Sequence, residues 1–177
     1  MPFEQYLIIP EVIELKSDDK VEALKEMALV LCKALDVKRQ KQIIDEILKR
    51  EESSSTFIGG GLALPQARGP IKDEFAIVVG RSSLGVRYDA ARGALAHIIV
   101  LLVAHDEADN NRQVQILSEI AAFFKSESVR EHMLLFQNPV DVNNIITIMK
   151  KGAGEEKSAK TSVKKPGSSV ISAAIDL

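Results

Sequence analysis

Tryptophan is absent from this 177-residue chain, cysteine occurs once and histidine three times, and 23 Lys and Arg stand against 25 Asp and Glu. A single Cys32 can make neither an intrachain disulfide nor a thiolate zinc site, which points to a reducing compartment, the cytoplasm. Three imidazoles are few for a histidine-rich metal centre, so neither a metal nor another cofactor is expected. The near balance of charge excludes a strongly basic nucleic-acid binder, because neutralising phosphates needs an excess of Lys and Arg. No long apolar run occurs either. The longest, Ile98 to Ala104, falls far short of the roughly 20 residues of a membrane span. Met1-Pro2-Phe3-Glu4-Gln5 carries no basic n-region, and no apolar h-region follows before Pro10, so no targeting signal is expected.

What is present is enough apolar sequence, 46%, to build one ordinary core. From Gly152 onward small and charged residues take over, with Lys164-Lys165-Pro166-Gly167 among them. Such a stretch buries too little apolar surface to offset its ordering entropy. The expected organisation is a folded domain over residues 1–150 and a disordered tail over 151–177. The tail holds five Lys and three acids, leaving the body at a formal −4. The last segment, Val170 to Leu177, turns apolar again and reads as tail or as a short docking segment.

Within the body, Val21, Leu24, Met27, Ala28, Leu31 and Leu35 recur at helical spacing behind the capping candidates Ser17 and Asp18. A second helix is predicted from about Lys38 to Arg50, with Ile43, Ile44, Ile47 and Leu48 inward and Lys41, Asp45 and Lys49 outward. Short extended runs, Thr56-Phe57-Ile58 and Leu62-Ala63-Leu64, flank Gly59-Gly60-Gly61. The three glycines lack a GK[ST] ending and open no helix, so they read as a tight turn and not as a nucleotide loop. Phe75 to Val79 and His97 to Val103 are continuous β-branched and apolar runs, the pattern of strands buried on both faces. Between them Gly85 to Asp89 alternates like an edge strand or turn. Three helices close the body: Asn111 to Phe124 (Val114, Leu117, Ile120, Ala121 and Phe124 inward), Glu127 to Phe136, and Val140 to Met149. This order predicts an α/β fold with a mixed central sheet between two helical layers.

One constellation carries more. Arg50-Glu51-Glu52-Ser53-Ser54-Ser55-Thr56 leads through the glycine turn and the small apolar strand Leu62-Ala63-Leu64 to Pro65-Gln66-Ala67-Arg68. This frame resembles the type-2 enzyme IIA domains of the bacterial sugar phosphotransferase system (PTS), the fructose, mannitol and nitrogen-regulatory group. Ile9 to Leu15, Gly85 to Asp89 before the strand ending at Ala104, and the Asn111 helix extend the likeness to about residues 5–150. The resemblance implies the three-layer fold. It also implies a Pro-His imidazole that takes a phosphoryl group from the histidine phosphocarrier protein and passes it to a sugar permease subunit.

Gln66 stands where that imidazole would be, and its amide nitrogen, delocalised into the carbonyl, is no useful nucleophile. The family's second histidine falls by register at Gln113 or a position beside it, and its Asn in the glycine turn is Gly60. What the resemblance leaves is a polar cradle. Arg50 can hold an anion bidentately, Ser55 and Thr56 can donate to it, and the start of the Asn111 helix offers backbone donors. The alternative is that Arg50 merely pairs with Glu51 or a neighbour and Gln66 is a solvated loop residue. Of the histidines, His105 ends its strand on the side where the family's site lies and is the one substitute acceptor considered. His97 reads as a packed strand residue, His132 as surface and Cys32 as core. Asp106, Glu107 and Asp109 read as a solvated loop, not a metal site.

Three functions follow as expectations. The first is a PTS IIA-like regulatory or binding protein, without histidine phosphorylation, that contacts a transporter or regulator. The second is an active phosphocarrier using another acceptor such as His105 and meeting the histidine phosphocarrier protein. The third is a small-anion sensor built on Arg50 and Thr56.

Overall fold

The computed structural model describes residues 3–9, 11–135, 144, 145 and 147. The predicted helix Val140 to Met149, apart from those three late residues, and the predicted tail lie outside this set.

A short 3-10 helix, Phe3–Tyr6, precedes β1 (Ile13–Glu14) and α1 (Lys20–Ala34), and α2 (Gln40–Ser53) follows. The middle of the chain supplies β2 (Phe57–Gly59), β3 (Leu62–Ala63), β4 (Gln66–Gly69), β5 (Phe75–Asp89) and β6 (Ala94–His105), and then come α3 (Asn110–Phe124) and α4 (Glu127–Leu135). The sheet runs β1-β5-β6-β3-β2 and is mixed: β5 and β6 pair antiparallel, while β3 and β4 both run parallel to β6.

Helices cover both faces. Alternation along β5 and β6 sends Phe75, Ile77, Val79, Ile98, Val100 and Leu102 toward Ile116, Ile120 and Phe124 of α3 and Val129 and Met133 of α4. Ala76, Val78, Ile99, Leu101 and Val103 face Leu24, Met27, Ala28 and Leu31 of α1 and Ile43 and Ile47 of α2. That two-sided burial is why these strands read as unbroken apolar runs.

Several boundaries differ from the sequence expectation. The N-cap of α1 is Asp19, whose Oδ1 accepts from the Glu22 amide at 3.2 Å. Ser17 instead accepts from the Asp19 amide, and Asp18 pairs with Arg87. The α1 register exposes Val21 at 39% and buries Ala23 and Cys32 in its place. The α2 helix continues past Arg50 to Ser53 because Glu51 is buried and bonded. Gly85 to Asp89 is neither an edge nor a turn but the end of the 15-residue β5, and Val86 and Arg87 pair with Ala96 and Leu95 of β6. A register shift between Arg81 and Val86 hides that continuity from a period-2 reading. In α3 the inward stripe is Ile116, Ile120 and Phe124, while Val114 is 63% exposed.

Candidate functional site

The edge of β6 that receives β3 also receives β4, with Leu64 and Pro65 between them. Leu62 and Ala63 register with Ile98 and Ile99, and Gln66 to Gly69 register with Leu102 to His105. Pro65 has no N–H for the ladder, but its carbonyl accepts from the Leu102 amide at 3.0 Å. Gln66 therefore stands on a strand pinned to the most buried part of the sheet. Ala67 packs among the α1 and α2 residues, so by strand alternation Gln66 and Arg68 point to the opposite side, toward α3.

Arg68 organises that side. Its Nη1 donates to the carbonyls of His105 (3.3 Å), Asp106 (3.0 Å) and Ala108 (2.9 Å). Its Nη2 donates to Asn110 Oδ1 (2.7 Å) and Gln113 Oε1 (2.8 Å). Gln113 Nε2 then donates to Gln66 Oε1 at 3.0 Å. Asp109 completes the turn as the N-cap of α3, accepting from the Arg112 amide at 2.7 Å. Gln66 and Gln113 are thus in direct contact across the gap between β4 and α3. Arg68 escaped the sequence reading as a site residue, although its place two residues beyond Gln66 on a strand gives both the same face.

Glu46 and Arg50 of α2 approach from the other layer. Together with Gln66, Ala67, Arg68 and Gln113 they line an open cavity of about 270 Å³. Arg50 donates Nη1 to the Ser54 carbonyl at 3.1 Å, closing the last turn of α2. Ser55 and Thr56 do not line this cavity. Ser55 Oγ accepts from the Phe57 amide at 3.3 Å. Thr56 is buried, with its amide 3.0 Å from Glu51 Oε1 and its hydroxyl 2.5 Å from Glu51 Oε2 and 2.9 Å from the Tyr88 hydroxyl. Lys20 approaches the same carboxylate at 3.5 Å and lies over the Tyr88 ring. Burial, and then the charge of Glu51, push the Tyr88 phenol far above its ordinary value. Glu51 thus ties the end of α2 to β5, and Arg50 beside it is aimed at the cavity from a fixed turn.

The histidines lie apart from the cavity lining. His105 Nδ1 accepts from the Glu107 amide at 3.1 Å, which places the proton of the neutral ring on Nε2. His97 Nδ1 lies 3.0 Å from the Ser82 carbonyl and therefore donates, and the ring packs beside Gly61 and Gly85. His132 lies at the surface of α4, partly covered, with Nδ1 2.7 Å from the Ser128 carbonyl. Cys32 is buried and burial pushes its thiol up, as for an inert core cysteine.

The model of the phosphoenolpyruvate-dependent sugar phosphotransferase system EIIA 2 family matches residues 7–148. The chain belongs to that family. It is 33% identical over 134 residues, 76% of its length, to the fructose-specific EIIABC component of Bacillus subtilis (strain 168), but spans only 21% of that longer protein. Against the fructose-specific EIIA component of Haloferax volcanii the identity is 27% over 76% of this chain and 90% of the relative. The fold is that of nitrogen regulatory protein IIA-Ntr from Neisseria meningitidis, with a TM-score of 0.68 over 81% of this chain and 96% of that one at 21% identity. It also matches the Escherichia coli complex of enzyme IIA mannitol with phosphorylated enzyme IIB mannitol, with a TM-score of 0.59 over 76% and 88% at 22% identity. The mixed sheet between helical layers is the PTS IIA architecture, as the sequence led one to expect. No described helix is long and apolar enough to cross a membrane.

Proposed function

We propose that this PTS IIA domain is regulatory: it accepts no phosphoryl group at the family site and acts by contacting a protein partner, a transporter subunit or a regulator. What supports this reading is Gln66, the residue that the resemblance sets in the acceptor's place, whose carbonyl is engaged by Gln113 Nε2 at 3.0 Å. Neither amide nitrogen has a free lone pair to attack phosphorus. His105 is a poor replacement, because the lone pair on Nδ1 already accepts from Glu107 and the other nitrogen carries the proton.

Incubation with phosphoenolpyruvate, enzyme I and the histidine phosphocarrier protein is expected to leave no acid-labile phosphate on the chain. Stoichiometric labelling that disappears in His105→Ala or His97→Ala would overturn this reading in favour of an active phosphocarrier.

A further inference from the structure

From the bulge at Ser82 to Gly85 in β5 we infer that the far end of the β5–β6 pair is the contact face between two copies of this chain. The inference stands whether or not Gln66 accepts a phosphoryl group.

Arg81 registers with Ile98 and Val86 with Ala96, so the residues Ser82 to Gly85 stand against His97 alone. An insertion of that size interrupts the ladder of a strand pair, and here other hydrogen bonds fix its shape. The buried Ser82 accepts two of them, at Oγ from the Gly85 amide (3.1 Å) and at its carbonyl from His97 Nδ1 (3.0 Å). Gly85 turns the chain back at φ +87°, close against Leu95 and the imidazole. The loop so fixed holds Leu84 out to solvent at 86% exposure, the highest for a large apolar side chain among the described residues. Through Gly85 it adjoins Leu95, itself 41% exposed. By alternation with the buried Val86, Tyr88 and Ala96, Leu95 and its cross-strand partner Arg87 face away from the α1 and α2 layer. An apolar pair carried on a bonded loop makes an anchor, because little loop order remains to be lost on contact.

The charges around it select a second copy. Arg87 pairs with Asp18 at 3.4 Å and Arg92 with Asp89 at 3.6 Å, so the rim holds both signs in equal number. Residues 1–150 as a whole carry a formal −4, and most approaches of one copy to another therefore meet like charge. Across a two-fold axis a rim of both signs complements itself, with each copy's Arg87 facing the other's Asp18. Two leucines and these rim side chains fall far short of the roughly 20–30 residues a side of a standard stable interface, so the dimer is a weak one. Gln66 registers with Leu102, which at strand rise stands roughly 23 Å along β6 from Leu95. Both cavities therefore stay open, and the dimer presents them as a pair.

Sedimentation velocity on the full chain, from about 10 μM to about 1 mM, tests this. The sedimentation coefficient should climb with concentration from the monomer value toward the dimer value. Leu84→Asp, an exposed change, should keep the circular dichroism and urea midpoint of the parent chain and raise the dissociation constant about tenfold or more. Asp18→Arg and Arg87→Asp each give that part of the rim a single sign and should weaken self-association. An equimolar mixture of those two variants should associate again, because each then supplies the sign the other lacks. A chain that is monomeric at about 1 mM, a dimer indifferent to Leu84→Asp, or a mixture that stays apart overturns the inference.

Discussion

Gln113 donates through Nε2 to Oε1 of Gln66 across 3.0 Å, so one gap between β4 and the first turn of α3 holds both side chains. Imidazoles placed at the two positions would share that gap. Gln66→His combined with Gln113→His is expected to restore acid-labile labelling by the phosphocarrier, and Gln66→His alone to restore less. A correctly folded double variant that stays unlabelled would mean that more than the acceptor has been lost.

Arg68 holds the loop between β6 and α3 by donating to three carbonyl groups and two side-chain oxygens. Arg68→Met keeps most of the side-chain volume and removes every donor. The expected loss of stability is on the order of 2 kcal/mol, read from the urea midpoint.

Glu51 is buried, and Thr56 satisfies both of its oxygens. Thr56→Val should lower stability by about 1–3 kcal/mol, since a buried carboxylate loses its closest donor. Combined with Tyr88→Phe the losses should not add, because both hydroxyls serve the same oxygen. Additive losses in the double-mutant cycle would disprove the shared network.

Tyr88 ionises far less readily in the folded protein than an ordinary phenol does, first because it is buried and then because Glu51 is negative. The folded state therefore keeps the proton that the unfolded chain releases near pH 10. The resulting stability is complete below that pH and declines as the pH rises above it. Urea midpoints should fall on the alkaline side of about pH 10, and Tyr88→Phe should make that fall shallower. An unchanged slope would place Tyr88 within reach of solvent.

Gly85 has φ +87°, and a Cβ added there would stand 2.9 Å from Leu95 Cβ and 3.0 Å from His97 Cε1. Gly93 has φ +61° with nothing within 4 Å. Gly93→Ala should cost about 1 kcal/mol for the left-handed backbone alone. Gly85→Ala adds steric overlap and should cost roughly 2–3 kcal/mol. Equal urea midpoints for the two variants would contradict the close packing of His97 between the strands.

The central strands and the two helical layers were legible because burial on both faces leaves long apolar runs at positions 75–79 and 97–103. The end of β5 was not, because the irregularity between Arg81 and Val86 breaks the two-residue period. In the site, Arg50 and Gln66 stood out through the resemblance to the type-2 IIA frame, and the fold brings both into the lining of one cavity. Thr56 was misplaced in the anion cradle because sequence neighbours on opposite sides of a helix end look adjacent. Its hydroxyl turns inward to Glu51 and Tyr88, a contact 32 residues away in the chain. The direction of the Gln66 and Gln113 amides could be read only once Arg68 was seen to contact Gln113 from a distance of 45 residues.

The attachment of β4 to β6 has a kinetic meaning. The Gln66 backbone is registered on Leu102, inside a strand whose residues 98–104 are wholly enclosed. Unseating it would mean pulling apart the core, so the face through which we propose partner contact is already formed in the free chain. Encounter is then a matter of diffusion, orientation and charge steering, in the range of about 10⁵–10⁷ M⁻¹s⁻¹ for docking without a conformational step. Differences among partners should be written in how long each complex lasts.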